Sequence, residues 1–387
     1  MPTPSSLLPW LLQQEPVMLR ELSAWVACET PTTEPARVAA HARDVAAAFA
    51  PLGARVVEHD SAVQLELPGS DPSLAPVLVL GHLDTVYAVG TLARMPVRND
   101  GERLWGPGVY DMKGGIVQLL FALRALAASG TEPRRPLRIL LTFDEETGSR
   151  ASRPVIETIT AGCSAALVLE PAAEEDGKLK IARKGIAVYR ITAEGVAAHA
   201  GVDFAQGASA VVELARQVAE IAAWSEASEA SEADEAAGSG LTVNPGVFSG
   251  GTRINIVAAH AEVDLEVRAW SRADLDRFDQ RLRALTPCHP RVRVEISGGL
   301  NRPPMEPTPA SLALASQAIA LGQEMGLQLT STGTGGGSDG NFTAALGVPT
   351  LDGLGAVGAG AHTYHEHVVI AALAPRACLL ARLLETI

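Results

Sequence analysis

The chain has 387 residues, 47% of them hydrophobic and 19% charged, which is enough for two domains or one large domain with an insertion, and excludes a lone small module or a disordered chain. Lys and Arg number 31 against 44 Asp and Glu, a net charge of −13. A surface of that sign repels phosphate backbones and anionic lipid, so nucleic acid and membrane surfaces are poor partners.

Four cysteines, Cys28, Cys163, Cys288 and Cys378, are scattered without CxxC spacing, which suggests neither a disulfide framework nor a thiolate metal site and fits a reducing compartment. The opening MPTPSSLLPWLLQQEP has no cationic start, and proline interrupts its short apolar stretch, so a signal peptide is not expected. No apolar run approaches the roughly 18 to 20 residues that span a bilayer. A cytoplasmic location is expected.

In chain order, PVMLRELSAWVACE and ARVAAHARDVAAAFAPLG carry apolar residues at three-to-four spacing and predict amphipathic helices, the second stopping at Pro51 and Gly53. Three short continuous apolar runs, at 76–81, 136–143 and 165–170, have the length of buried strands. Between the first two, GGIVQLLFALRALAASG predicts a helix closed by Gly130. Strands alternating with helices give an α/β class, a mostly parallel sheet flanked by helices. Beyond about residue 180, KGIAVYRITAEG and NIVAAHAEVDLEVRAW alternate apolar and polar positions, as a sheet with one wet face does. A helix-like ASAVVELARQVAEIAAW precedes the acidic run SEASEASEADEAAGSG, read as a solvated helix end and loop. From about 299 the α/β character returns with the helix SLALASQAIALGQEMG and the strand and turn LGVPTLDGLG. The expectation is a discontinuous first domain, 1–180 with 299–387, and an inserted α+β domain at 181–298.

Polar residues gather where those strands end: His82 and Asp84 in GHLDTVY, Asp144, Glu145 and Glu146 in TFDEETGS, and Glu170 in LVLEPA. Ligands bind at the carboxyl ends of open α/β sheets, so these residues should converge. Asp111, in GPGVYDMKGG, precedes a helix start, and His362 lies in the late loop GAGAHTYHEHV. Asp111, Glu145, Glu146 and Glu170 cannot all stay ionised in one crevice unaided. Two divalent cations would offset Asp111, Glu146, Glu170 and one hydroxide, leaving Glu145 to handle protons. Imidazole mixed with carboxylate selects zinc, with cobalt or manganese as alternatives, over magnesium and calcium.

These segments, together with AAHAG, GGGSDGNF and HTYHE, resemble over nearly the whole chain the two-zinc amidohydrolases that include glutamate carboxypeptidase, aminoacylase, acetylornithine deacetylase and succinyl-diaminopimelate desuccinylase. The resemblance implies that Asp111 bridges two zinc ions, with His82 and Glu170 on one and Glu146 and His362 on the other. Glu145 would be the general base and Asp84 would orient His82, although Asp84 also reads as a turn cap and Asp144 competes with its neighbours. It further implies a homodimer formed through the inserted domain, in which His199 reaches the partner's site to stabilise an oxyanion; a locally bonded strand-end histidine is the other reading.

Asn255, Arg268 and Arg302 are candidates for gripping a substrate carboxylate, guanidinium being suited to two parallel hydrogen bonds; a surface role fits Arg302 equally. Gly336 and Gly337 would let the backbone approach the substrate. The same GTGGGSDGNF run satisfies GxGxxG weakly, and GxSxG with Ser338, Asp352 and His362 in the order of an α/β-hydrolase, which leaves the carboxylates unexplained. The expected substrate is a small molecule or short peptide with a free carboxylate, cleaved as by glutamate carboxypeptidase. An N-acyl amino acid deacylase is the alternative. An inactive dimeric peptide-binding relative is a third reading, whose signature, a lost ligand, is absent here.

Overall fold

The protein is described by a computed structural model covering residues 7–225 and 240–387. The acidic run between these segments lies outside the described residues. Contacts divide the chain into a first unit, residues 1–182, 307–334 and 338–387, and a second, 183–306 with 335–337.

In the first unit, six strands lie in the spatial order Arg55–His59, Ala62–Leu67, Leu137–Thr142, Val77–His82, Ala165–Val168 and Thr350–Leu351. The last four are mutually parallel, and the first two form an antiparallel hairpin on the edge. Val77 and Val79 belong to the core cluster that holds Ile116, Leu120 and Leu380 on one face, and Leu78 and Leu80 to the one that holds Ile156, Ile159 and Phe342 on the other. Burial on both faces is why these strands read as unbroken apolar runs.

The first helix is longer than its sequence suggests. It spans Leu7–Val26 with Pro16 inside, whereas the proline predicts a start at residue 16. Leu7, Leu11, Met18 and Leu22 are all buried, so one apolar face continues across the proline and packing overrides its helix-breaking tendency.

Register sets the site. Val77 pairs with Leu137 and His82 with Thr142, while Leu80 pairs with Val168. His82 therefore leaves the sheet level with the end of one neighbour, and Glu170 lies two residues beyond the Leu80–Val168 level on the other. All three strands point the same way, so their carboxyl ends share one edge. A smaller antiparallel sheet contains Gly358–Ala359 and His367–Val369, and the connection between these two strands carries His362.

The second unit is a four-stranded antiparallel sheet in the order Thr242–Gly250, His260–Ala269, Gly185–Glu194 and Arg293–Arg302, with helices Ala210–Ala222 and Arg272–Arg283 contributing to its core. The Gly185–Glu194 strand buries Ala187, Tyr189, Ile191 and Ala193 and turns the intervening side chains outward, as a one-faced core requires. Residues 299–306 belong to this unit rather than to the returning segment, because the strand begun at Arg293 runs through Gly298 and Gly299 to Arg302. Among the described residues no helix is long and apolar enough to cross a membrane.

Candidate active site

His82 is the last residue of its strand and is 1% exposed. Its Nδ1 lies 3.0 Å from the backbone carbonyl of Asp84 and 3.5 Å from that residue's Oδ1. The carbonyl is thus the closer partner of the imidazole, with the carboxylate behind it. On the other side of the ring, Nε2 is 3.1 Å from Asp111 Oδ1 and 3.6 Å from Glu170 Oε1. Burial opposes a charge on this ring, but hydrogen bonds to Asp111 and Asp84 outweigh it and raise its pKa well above the usual histidine range.

The Asp84 carboxylate has a second task. It accepts the backbone amides of Glu145 and Glu146, both at 3.2 Å, and the Thr32 hydroxyl at 2.6 Å. Two consecutive amides at the start of the Glu145–Thr147 turn make a natural anion seat, so Asp84 fixes the turn that carries both glutamates. Asp144 instead caps its own loop, accepting the Ala151 amide at 2.7 Å.

Asp111 is presented by a tight turn that begins after Gly108, at φ +72. The following helix passes close to the Glu170 strand end: a side chain on Gly115 would lie 2.3 Å from the Leu169 carbonyl. Glu366, which is buried, holds the Asp111 turn from behind by accepting the amides of Gly108 at 3.0 Å, Tyr110 at 2.8 Å and Asp111 at 3.0 Å. Burial pushes the Glu366 carboxyl up to about 7 while its hydrogen-bond donors pull the other way. This residue was not singled out from the sequence, where only its place in HTYHE was visible.

His362 has φ +64, uncommon for a non-glycine residue. Its Nε2 is 3.0 Å from Glu146 Oε2 and 3.5 Å from Asp111 Oδ2. Hydrogen bonds to Asp111 and Glu146 raise its pKa to about 10. Burial favours the neutral form of Asp111, but the two histidines hold it well below the usual carboxylate range, whereas burial dominates at Glu146 and raises it. Oxygen and nitrogen atoms of His82, Glu145 and Glu170 lie within 4.8 Å of one another, as do those of His82, Asp111 and Glu146. Two imidazoles and four buried or partly buried carboxylates form a donor set that fits divalent transition-metal cations.

The remaining expected residues lie in the second unit. His199 is exposed, and its Nδ1 accepts the amides of Gly201 and Val202, both at 3.1 Å. A ring nitrogen that accepts two amides carries no proton, which leaves Nε2 as the ring's donor. Asn255 is exposed beside it: its carbonyl accepts the Ala200 amide at 3.0 Å, and His199 bridges to Ile256. Arg268 donates to the Gly335 carbonyl at 2.8 Å, and Arg183 to those of Gly336 at 3.1 Å and Gly337 at 3.2 Å. The glycine run is therefore pinned by guanidinium groups. Arg302 is buried and packs against Gly337.

Ser338 is fully buried and donates to Asp352 Oδ2 at 2.7 Å. A serine nucleophile gives its proton to histidine, and His362 is engaged with Asp111 and Glu146 instead. The Ser, Asp, His order is a coincidence of sequence.

A crevice at the carboxyl ends of a mostly parallel sheet, lined by imidazole and carboxylate, defines a metal-dependent hydrolase. Residues 78–386 match peptidase family M20/M25/M40, and the chain belongs to that family. It is 30% identical over 380 residues to carboxypeptidase G2 of Pseudomonas sp. (strain RS-16), covering 96% of this chain and 89% of that protein. To the succinyl-diaminopimelate desuccinylase of Delftia acidovorans it is 29% identical over 317 residues, 78% of each. Its fold matches aminopeptidase PepT from Bacillus cereus with a TM-score of 0.78 at 21% identity, covering 96% of this chain and 98% of the other.

Proposed function

We propose that the protein is a cytoplasmic two-zinc exopeptidase that cleaves an amide next to a free carboxylate, releasing a C-terminal residue such as glutamate. The observation that carries this reading is the convergence of His82, Asp111, Glu145, Glu146, Glu170 and His362 at one sheet edge. Asp111 would bridge the two ions, His82 and Glu170 would hold one, and Glu146 and His362 the other; cobalt or manganese would fit the same donors. Zinc bound there supplies Lewis acidity and brings the pKa of a water to about 7.

The chain's own residues do the rest. Glu145 takes the proton of the attacking water and passes it to the leaving amine nitrogen. Asp84 holds the turn on which Glu145 sits and fixes the His82 ring. His199 acts from the partner subunit of a homodimer, its Nε2–H donating to the developing oxyanion; the two amides on Nδ1 support this assignment, since they fix the tautomer. The second unit exposes Val202, Phe204, Val247 and Ile254, apolar side chains that an interface there would cover. Asn255 and Arg268 are preferred for the substrate carboxylate, with Gly336 and Gly337 lining the approach. Arg302 is too buried to be reached first.

A second reading, an N-acyl amino acid deacylase, is favoured by the desuccinylase relatives. A hydrolysis screen of peptides ending in Glu, Asp or apolar residues against N-acetyl and N-succinyl amino acids separates the two. C-terminal glutamate conjugates should turn over fastest, and chelation should abolish turnover until zinc is restored. Turnover of acyl amino acids alone selects the deacylase. Full activity in protein shown by elemental analysis to hold no transition metal overturns both.

A further inference from the structure

We propose that Asp339 is a positioning residue for the turn that carries Glu145 and Glu146, an inference that rests on the roles assigned to them above. Asp339 stands at the N-cap of helix Gly340–Ala345, where an aspartate commonly accepts an amide of its own helix. It makes no such bond. Its carboxylate is buried and faces another segment, accepting the Thr142 hydroxyl at 2.9 Å through Oδ2 and the Ser149 hydroxyl through Oδ1.

Thr142 ends its strand and Ser149 closes the following turn, so these two hydroxyls bracket residues 143–148. Both are fully buried. Ser149 has φ +53, an uncommon backbone for a residue with a side chain, and its amide also bonds the Asp144 carbonyl at 2.9 Å. The turn is thus gripped twice: Asp84 seats its leading amides, and Asp339 ties its two feet together. Hydrogen bonds to an ionised carboxylate are shorter and stronger than neutral ones, which makes a carboxylate the stiffest available tie between two hydroxyls.

Asp339 is itself anchored. The preceding Ser338 is fixed by its bond to Asp352 and by the 2.9 Å bond from its amide to Asn341 Oδ1. The next residue is Gly340, where a side chain would fall 2.9 Å from Val168 and 3.1 Å from Asp352. The SDGN segment is therefore a fixed mount, and any slack in it passes to the proton-handling carboxylate and to Glu146 together.

Asp339→Asn retains shape but cannot accept both hydroxyls on equal terms. It should lower kcat by about ten- to a hundredfold, the usual effect of losing a partner that orients a ligand, with KM within roughly threefold. The ligand-field spectrum of the cobalt-loaded variant should change and its cobalt should be lost to a chelator more readily, while thermal stability changes little. Ser149→Ala and Thr142→Val should each reproduce part of the loss, and Asp339→Asn with Ser149→Ala should be little worse than Asp339→Asn alone. Wild-type kcat with an unchanged cobalt spectrum in folded Asp339→Asn, or fully additive losses, overturns the proposal. If Asp339→Asn does not fold, wild-type kcat in both Ser149→Ala and Thr142→Val overturns it. Glu145→Ala on the same substrate separates the failures: full turnover there removes the base assignment, while the cobalt spectra still report on the Asp339 tie to Glu146.

Discussion

The candidate site has two halves built on different principles. His82 and Glu170 come from the ends of neighbouring parallel strands, and the His82 side chain is 1% exposed. Glu146 and His362 come from a turn and a hairpin loop, and the His362 side chain is 51% exposed. Asp111 contacts the histidine of each half. One half takes its geometry from sheet register and close packing, whereas the other depends on carboxylates, Asp84 and Glu366 among them, that accept backbone amides of the surrounding loops. A strand end needs little more than its neighbours to stay in place; a loop has to be tied.

The sharpest way to test that division is to remove what the halves share. Asp111→Ala should bring turnover to background and release metal from both sides, read by elemental analysis. Glu145→Ala should lower kcat by about 10²- to 10⁴-fold with metal retained; loss of metal there would make Glu145 a ligand, an outcome its grouping with His82 and Glu170 leaves room for.

Next in size is a difference in folding stability. His82→Ala leaves a buried void and removes the ring bonded to Asp84 and Asp111, and should cost about 1 to 3 kcal/mol in denaturant titrations, whereas His362→Ala should stay within about 0.5 kcal/mol. Equal costs would erase the distinction.

The smallest effect is on pH dependence. In chelator-treated protein the His362 pKa is raised to about 10 from an ordinary 6.5. Its contribution to stability is therefore complete below 6.5 and is lost as pH rises through about 10. Because this ring is half exposed, the contribution should not exceed about 0.5 kcal/mol. Subtracting the pH profile of His362→Gln isolates it, and no difference between the profiles would mean that the ring is not ion-paired.

Much of this was legible before any coordinates. The runs at 76–81, 136–143 and 165–170 are buried strands, and the polar residues just past them meet, because burial on both sides of a parallel sheet writes itself into sequence as continuous apolar stretches. The hairpin Arg55–Leu67 went unread: it lies at the sheet edge, its outer strand is mostly exposed, and its turn at Asp60 and Ser61 lacks a strong signature. Pro16 misled because the packing that keeps it helical involves residues far along the chain. Glu366 and Asp339 were visible only as acids inside motifs. Their partners at Gly108, Tyr110, Asp111, Thr142 and Ser149 are 190 or more positions away, and no local pattern encodes a hydrogen bond of that span.

The pairing of Leu80 with Val168 and of His82 with Thr142 makes the sheet a ruler. An inserted residue within the Val77–His82 strand would rotate every later side chain to the opposite face and carry the imidazole out of the crevice. Length variation in descendants of this gene should therefore be purged from the central strands.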